Sequence, residues 1–201
     1  MSQTYNPTEF MGNADTHSGV TNAKLGVWLF LASEVMLFAT LFTSYIVLRM
    51  AAVSWPWGWD VLNVPLATLN TVILITSSVT IVMAYAKAYD KDKAGFQMWM
   101  AATLLLSFAF LVVKGFEYGH EFALGIAPST SVFYAVYFTM TGLHGLHILG
   151  GIAVNAGLLY MSTVDEHWQH PLFLGRVEGA GLYWHFVDIV WIFLFPALYL
   201  L

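Results

Sequence analysis

Glu34 is a carboxylic acid set inside a long apolar run that begins near residue 25. In a membrane-spanning helix, with a rise of about 1.5 Å per residue, it would lie roughly 14 Å from one edge, close to the bilayer midplane. A charged side chain there costs about 2.5–3.5 kcal/mol unless it is paired. Two interpretations remain open: a proton-relay or lipid-contacting carboxyl, or a protonated side chain bonded to a hydroxyl or a histidine.

Two histidines, His144 and His147, are three residues apart, so they lie on one face of a helix. That spacing can bind a metal, but a complete site needs further ligands, for which His185, Asp188 and Glu34 are the candidates. A bis-histidine heme would use His144 or His147 with His185 opposite. The sequence has no cysteine to complete such a site. We therefore favour interhelical hydrogen bonds as the role of both imidazoles.

A third polar group lies near the end of the chain, where His185 and Asp188 are again three residues apart. Side chains at that spacing reach each other, so we predict that each satisfies the other. Glu178 precedes them and is expected to cap the first amides of the last helix.

Lys114 and Glu117 form the last polar group, and they share one helix face with Tyr118 and Glu121. We predict a structural pair between Lys114 and either Glu117 or Tyr118 at the membrane interface.

The composition indicates that a membrane surrounds these groups. Hydrophobic residues make up 59% of the 201-residue chain and charged residues 9%, against roughly 25% charged in soluble proteins. A chain of this length cannot bury so much apolar surface in water. No basic cluster is present, which argues against nucleic-acid binding. We expect an all-α membrane protein with a polar tail at 1–23 and one bundle at 24–201, whose five spans are 25–48, 64–86, 96–118, 131–160 and 179–201.

Basic residues predict the orientation, because Lys and Arg are retained on the cytoplasmic side. With the N-terminus cytoplasmic and the C-terminus periplasmic, Arg49 and Lys114 fall outside. The inner side then holds Lys24, Lys87, Lys91, Lys93 and Arg176.

Small residues in the fourth span predict close helix packing, because they let a neighbouring backbone approach. These are Gly142, Gly145, Gly150 and Gly151.

Five runs of the sequence, in order, resemble the subunit III family of heme-copper terminal oxidases. The runs are GVWLFLASEVMLF at 26–38, PLATLNTVILITSSVT at 65–80, KGFEY at 114–118, FYAVYFTMTGLHGLHILGG at 133–151 and YWHFVDIVWIFLFP at 183–196. They cover nearly all of the chain after its polar tail. Many members have seven helices, and this chain resembles a short five-helix bacterial form that begins at the equivalent of the third.

The resemblance implies a non-catalytic subunit in the bacterial inner membrane, docked on subunit I of an oxidase that also contains subunit II. Heme and copper would lie in the partner subunits, with none in this chain, and phospholipid would be held against the complex. Such a subunit stabilises subunit I and its proton uptake during oxygen reduction coupled to proton translocation. Glu34 matches the family's membrane-buried carboxyl, and the structural polar positions are matched by His144, His147, His185 and Asp188.

Three other functions remain as alternatives. In the same superfamily, the chain could be an accessory subunit of a nitric oxide reductase. In a different class, it could be a membrane redox protein with its own heme or metal on His144, His147 and His185. A small transporter built around Glu34 is the third, although the sequence lacks the repeats and broken helices of transporters.

Overall fold

The computed structural model describes residues 22–170 and 172–201, and it contains no strand in that part of the chain. The predicted tail at 1–23 falls outside the described residues except for its last two positions. The all-α prediction is confirmed. In chain order the elements are α1 (Asn22–Ala51), α2 (Gly58–Val61), α3 (Val64–Tyr89), α4 (Lys93–Ala123), α5 (Val132–Thr163), α6 (Asp165–Gln169), α7 (Leu172–Phe195) and a π-helical turn (Pro196–Leu200).

Five of these helices, α1, α3, α4, α5 and α7, are long and apolar enough to cross a membrane. The predicted number of spans is therefore confirmed, but the predicted start of the last helix is wrong. Helix α7 begins at Leu172, seven residues before the expected position 179. Its first turns contain Gly175 and Gly179. Glycines favour a loop in a soluble protein, but they are common in membrane helices.

Side-chain caps fix the starts of three helices. The side chains of Asn63, Asp92 and Ser131 accept hydrogen bonds from backbone amides in the first turns of α3, α4 and α5. Asp92 accepts from the Gly95 amide at 2.9 Å. This bond, and then the neighbouring Lys87, lower the pKa of the Asp92 carboxyl.

Helices α3, α4, α5 and α7 form the core of the bundle. Indole N–H groups of α7 donate to hydroxyls of α3, from Trp184 to Ser77 and from Trp191 to Thr71, both at 3.0 Å. Helix α1 lies at the periphery against α5 and α7. Only 6% of its span is buried within the chain, against 28–39% for the other four spans. Its attachment therefore depends on a few specific contacts.

The bundle has two ends, which are the outer and the inner end in the predicted orientation. The outer end contains α2, the loop at 124–131 and the C-terminal turn, and the inner end contains the α3–α4 turn, α6 and the start of α7. At the outer end, the Tyr45 hydroxyl of α1 donates to the Ala197 carbonyl at 2.5 Å. Arg49 donates to both Tyr45 and the Leu201 carbonyl at 2.8 Å. These bonds fasten α1 to the π-helical turn.

Gly58 explains how closely α2 packs on the same turn. A Cβ atom at this position would lie 2.1 Å from the Leu198 carbonyl oxygen and 2.8 Å from backbone atoms of Tyr199. Only glycine fits this approach without a backbone shift.

Candidate functional site: polar groups within the bundle

The most deeply buried ion pair in the described part of the chain lies at the outer end, where Lys114 Nζ donates to Glu117 Oε2 at 3.0 Å. Their side chains are 6% and 1% exposed. The predicted Lys114–Glu117 contact is thus present. Glu117 Oε1 accepts two more hydrogen bonds, from the hydroxyls of Tyr137 at 2.8 Å and Tyr199 at 2.6 Å. Since Lys114 also donates to both tyrosine hydroxyls, each charge has several partners.

Aromatic rings complete the surroundings of the Lys114 ammonium. Its Nζ lies 5.0–5.4 Å from the ring centroids of Tyr118, Tyr137, Trp191 and Tyr199, within the range of cation–π attraction. This Lys114 cluster joins α4, α5, α7 and the C-terminal turn. Its geometry indicates a structural role, because the Lys114 ammonium and the Glu117 carboxylate bond to each other and to the hydroxyls of two tyrosines.

A second polar contact joins α1 to α5 near the middle of the bundle. His147 Nε2 lies 2.7 Å from Glu34 Oε2, and His147 Nδ1 lies 2.8 Å from the Leu143 carbonyl oxygen. A carbonyl only accepts, so Nδ1 carries a proton. The Glu34–His147 bond therefore holds one proton, from either a neutral acid or an imidazolium. Of the two interpretations of Glu34, this contact matches a carboxyl satisfied by a histidine.

His144 faces a different part of the bundle. Its ring stacks on Trp191 at 5.3 Å between centroids and meets the edge of Phe110. Neither ring nitrogen has a hydrogen-bond partner in the described part of the chain. The predicted interhelical hydrogen bond is therefore present for His147 but wrong for His144. The two imidazoles differ in their surroundings. His147 bonds to Glu34 of α1, whereas His144 packs between the rings of Phe110 and Trp191.

The predicted His185–Asp188 pair is also wrong. His185 Nδ1 instead lies 2.7 Å from the Ser78 hydroxyl of α3. Asp188 is 4% exposed, and its carboxyl lies near the same Ser78 hydroxyl but makes no hydrogen bond of regular geometry among residues 22–170 and 172–201. Sequence spacing places both side chains on one face, but α3 packs against that face and supplies a closer partner.

Glu178 does not cap α7, because that helix begins at Leu172 and Glu178 lies nearly two turns inside it. It pairs with Lys24 of α1 instead, at 2.7 Å, and both side chains are about one-third exposed. Among the described residues, no three His, Asp or Glu side chains come together as a group that could hold a metal ion.

The glycines of α5 differ in how closely neighbours approach. A Cβ atom on Gly151 would lie 2.5 Å from the Trp184 ring, and one on Gly150 would lie 3.4 Å from the Tyr183 hydroxyl. Gly142 is looser, with its nearest atom at 3.8 Å, and Gly145 has open space. Close packing therefore applies to Gly150 and Gly151, and the prediction is wrong for Gly145.

A cavity of about 870 Å³ opens between α1, α5 and α7 toward the inner end. Most of its wall is apolar or glycine. The charged residues Lys24, Arg176 and Glu178 lie at one end, and Tyr183 lies at the other. The Tyr183 hydroxyl donates to the His147 carbonyl at 2.9 Å, so this lining residue contacts the residue that pairs with Glu34.

Sequence reasoning missed several residues of these sites: Gly58, Ser78, Tyr137, Tyr199 and the cavity residue Arg176. Tyr137 and Tyr199 carried a usable signal, because a tyrosine inside an apolar span needs a partner for its hydroxyl. Gly58 and Ser78 act through contacts between distant parts of the chain and carried no local signal.

Together, the fold and its polar groups define a multi-pass helical membrane protein whose buried side chains connect helices. Residues 6–201 match the family model described as Cytochrome c oxidase subunit III. The chain belongs to this family.

Relatives extend over most of the chain. The chain is 36% identical to Cytochrome bo(3) ubiquinol oxidase subunit 3 of Pseudomonas putida, over 88% of this chain and 84% of the relative. It is 36% identical to Cytochrome c oxidase subunit 3 of Synechocystis sp., over 100% and 85%, respectively. A third relative, Cytochrome c oxidase subunit 3 of Alkalihalophilus pseudofirmus, is 35% identical over 90% and 87%. These names support the oxidase-subunit interpretation over the alternatives.

Proposed function

We propose that this chain is the non-catalytic subunit III of a bacterial heme-copper terminal oxidase that couples oxygen reduction to proton translocation. The match to the family over residues 6–201 is the observation that carries this proposal. Heme and copper lie in partner subunits, and this chain binds directly to subunit I, in a complex that includes subunit II. It lies in the inner membrane with its N-terminus cytoplasmic.

Its role is to stabilise subunit I and its proton uptake, in part by holding phospholipid against the complex. Two features of the chain support this role. Its charged groups connect helices, as in the Lys114 cluster and the Glu34–His147 contact. The weakly buried α1 also leaves a large apolar surface for lipid or a partner helix to cover.

Purification of the tagged chain from its native membrane in mild detergent tests the proposal. We expect subunit I to co-purify, with a heme Soret band and copper, and with oxygen reduction by the complex. The isolated chain should show no Soret band. A complex that reduces nitric oxide but not oxygen would support the reductase alternative, and stoichiometric heme on the isolated chain would contradict both.

Removal of the chain tests the stabilising role itself. An oxidase assembled without it should begin turnover at a normal rate and then lose activity faster than the complete complex. An initial rate that is already abolished would indicate a direct part in the chemistry.

A further inference from the structure

A half-buried imidazole lies at the middle of the membrane, on the side of the bundle that α3 and α7 share. His185 follows the start of its span at Leu172 by 13 residues, and 15 more residues complete the span. Ser78 lies 14 residues after Val64 and 11 before Tyr89, the two ends of α3. At 1.5 Å per residue, both side chains are roughly 16–23 Å from the ends of their spans. They therefore lie near the centre of a hydrocarbon core that is about 30 Å thick.

The His185 ring has one nitrogen bonded within the chain and one accessible from outside the bundle. Nδ1 lies 2.7 Å from the Ser78 hydroxyl, and Nε2 makes no hydrogen bond to the described residues but is not enclosed by them. The other two histidines at this depth differ. Both nitrogens of His147 are bonded, and the ring of His144 is fully enclosed. A neutral imidazole has one N–H and one lone pair, so Nε2 offers one of these to a neighbour.

Apolar side chains surround this imidazole on both helices. On α3, Ile75 precedes Ser78 by three residues and Val82 follows it by four. On α7, Ile189 follows His185 by four. Side chains at these spacings share a helix face, and the three apolar ones are 48–51% exposed. These five residues form the α3–α7 face, which has a polar centre and an apolar rim.

Lipid alone does not satisfy the α3–α7 face. Acyl chains solvate isoleucine and valine, but they offer no partner to a ring nitrogen. Headgroups lie about 15 Å from the midplane, at the edge of the hydrocarbon core. Polar side chains at this depth pair with one another across helices, because a hydrogen bond left unmade in hydrocarbon is costly. A neighbouring helix with a polar side chain opposite His185 matches both the rim and the centre of the face.

We propose that the α3–α7 face binds a transmembrane helix of subunit I, and that His185 Nε2 bonds to a hydroxyl or carboxamide side chain of that helix. Such a side chain both donates and accepts, so it fits either tautomer of the imidazole. Ser78 is a positioning residue, because its hydroxyl holds the ring through Nδ1. The inference rests on the proposed function and deepens it, since it names the face and the polar contact by which this chain binds subunit I.

Photo-cross-linking in the assembled oxidase tests which face binds subunit I. A benzophenone amino acid takes the place of Ile189 in one full-length variant and of Leu105 in another. Leu105 is the matched control, because it is an exposed apolar residue well inside the span of α4. We expect the probe at Ile189 to cross-link to a transmembrane peptide of subunit I, and the probe at Leu105 to cross-link to lipid. Lipid adducts alone from Ile189, or equal yields of subunit I from both positions, would overturn the assignment.

His185→Phe tests the hydrogen bond itself, because phenylalanine keeps a planar ring without a nitrogen. We expect the dissociation constant for subunit I in mild detergent to rise about three- to tenfold, the range for one hydrogen bond between membrane helices. His185→Gln keeps a donor and an acceptor, so it should retain subunit I as the parent chain does. Ser78→Ala is the matched control, because it removes the bond within the chain but leaves Nε2 available.

The comparison of these variants decides whether the bond joins two subunits. Ser78→Ala should weaken the binding of subunit I less than His185→Phe does. Equal losses in the two variants would show that His185 only connects α3 to α7, and the proposal would be wrong. If His185→Phe loses its helix content, the cross-linking result decides instead.

The cross-linked peptide also identifies the polar side chain of subunit I. Its replacement by an apolar residue should weaken binding to the parent chain but should cause no further loss with His185→Phe. Additive losses would contradict a direct contact with His185.

The readouts separate this inference from the proposed function. A chain that assembles into an oxidase but cross-links to subunit I only from Leu105 would contradict the α3–α7 assignment alone. If the probe at Ile189 cross-links to a polar helix of a protein that belongs to no oxidase, the proposed function is wrong, whereas the hydrogen bond from His185 to a partner helix is supported.

Discussion

The outer and inner ends of the bundle both contain ion pairs between lysine and a carboxylate, but the pairs differ in their exposure to solvent. At the outer end, the Lys114–Glu117 pair is 6% and 1% exposed. Among the described residues, the inner-end pairs are Lys24–Glu178, Lys87–Asp92 and Lys93–Asp165, and their side chains are 32–80% exposed. Breaking a buried pair by removing one partner costs about 3–5 kcal/mol, whereas an exposed pair contributes about 0–1 kcal/mol. The outer end is therefore where ion pairing stabilises the fold.

Two glycines show how closely the backbone packs at one place in each end. At Gly58, on the outer end, a Cβ atom would overlap the backbone of the C-terminal turn. At Gly157, toward the inner end, it would enter the cavity. The chain itself closes the outer end, while an open cavity remains toward the inner end. Close packing at Gly58 and open space at Gly157 thus lie at opposite ends of the bundle.

The sharpest test of this comparison is Lys114→Met, which leaves Glu117 buried with only tyrosine donors. We expect a loss of about 3–5 kcal/mol in the free energy of unfolding. Thermal unfolding in detergent measures this loss, and the variant should unfold and aggregate at a much lower temperature than the parent chain. The matched inner-end variant Lys93→Gln should lose less than about 1 kcal/mol.

The double variant Lys114→Met, Glu117→Gln should recover part of the loss, because no uncompensated charge remains. If Lys114→Met lowers the free energy of unfolding no more than Lys93→Gln does, the buried outer-end pair does not stabilise the fold more than the exposed inner-end pairs.

A smaller effect is expected from Gly58→Ala, which forces α2 away from the Leu198 carbonyl. Overpacking of this kind costs about 1–3 kcal/mol. Gly157→Ala is the matched control and should be neutral or slightly stabilising, because its Cβ atom meets nothing and alanine favours the helix. Thermal unfolding of both variants in the same detergent measures the difference. Equal stability of the two variants would contradict the close packing assigned to the outer end.

The sequence predicts contacts within one helix better than contacts between helices. The five spans follow from hydropathy, and the Lys114–Glu117 contact follows from three-residue spacing within one helix. The same spacing failed for His185 and Asp188, because Ser78 of α3 competes for the imidazole and no pattern within α7 reveals that neighbour. Glu178 was misplaced because glycines near the start of α7 resemble a loop. Contacts between helices, such as Tyr199 with Glu117, require the packed bundle.

The Glu34–His147 contact lies between the two ends in both position and burial, with side chains 17% and 14% exposed. Glu34→Ala leaves His147 without its partner and should cost about 1–3 kcal/mol. Glu34→Gln keeps an amide for that bond, so it should cost less. In the reconstituted oxidase, we expect Glu34→Gln to leave the ratio of protons pumped per electron unchanged at the first turnover. A ratio that falls at once would instead support the proton-relay interpretation of Glu34.

The smallest expected effect concerns Asp92, which caps α4 at the exposed inner end. Its pKa is lowered in the folded chain by the Gly95 amide and by Lys87, so the charged form stabilises the fold. That stabilisation is complete above the unfolded pKa of about 3.9 and is lost as the pH falls through the lower folded value. Asp92→Asn keeps a capping oxygen but removes the charge. The difference in thermal stability between the parent chain and Asp92→Asn should therefore be small at pH 7, should begin to shrink below a pH of about 3.9, and should vanish once the pH is below the folded pKa of Asp92. A difference that persists unchanged in acid would show that the carboxylate charge does not stabilise this turn, and that the capping geometry alone starts α4.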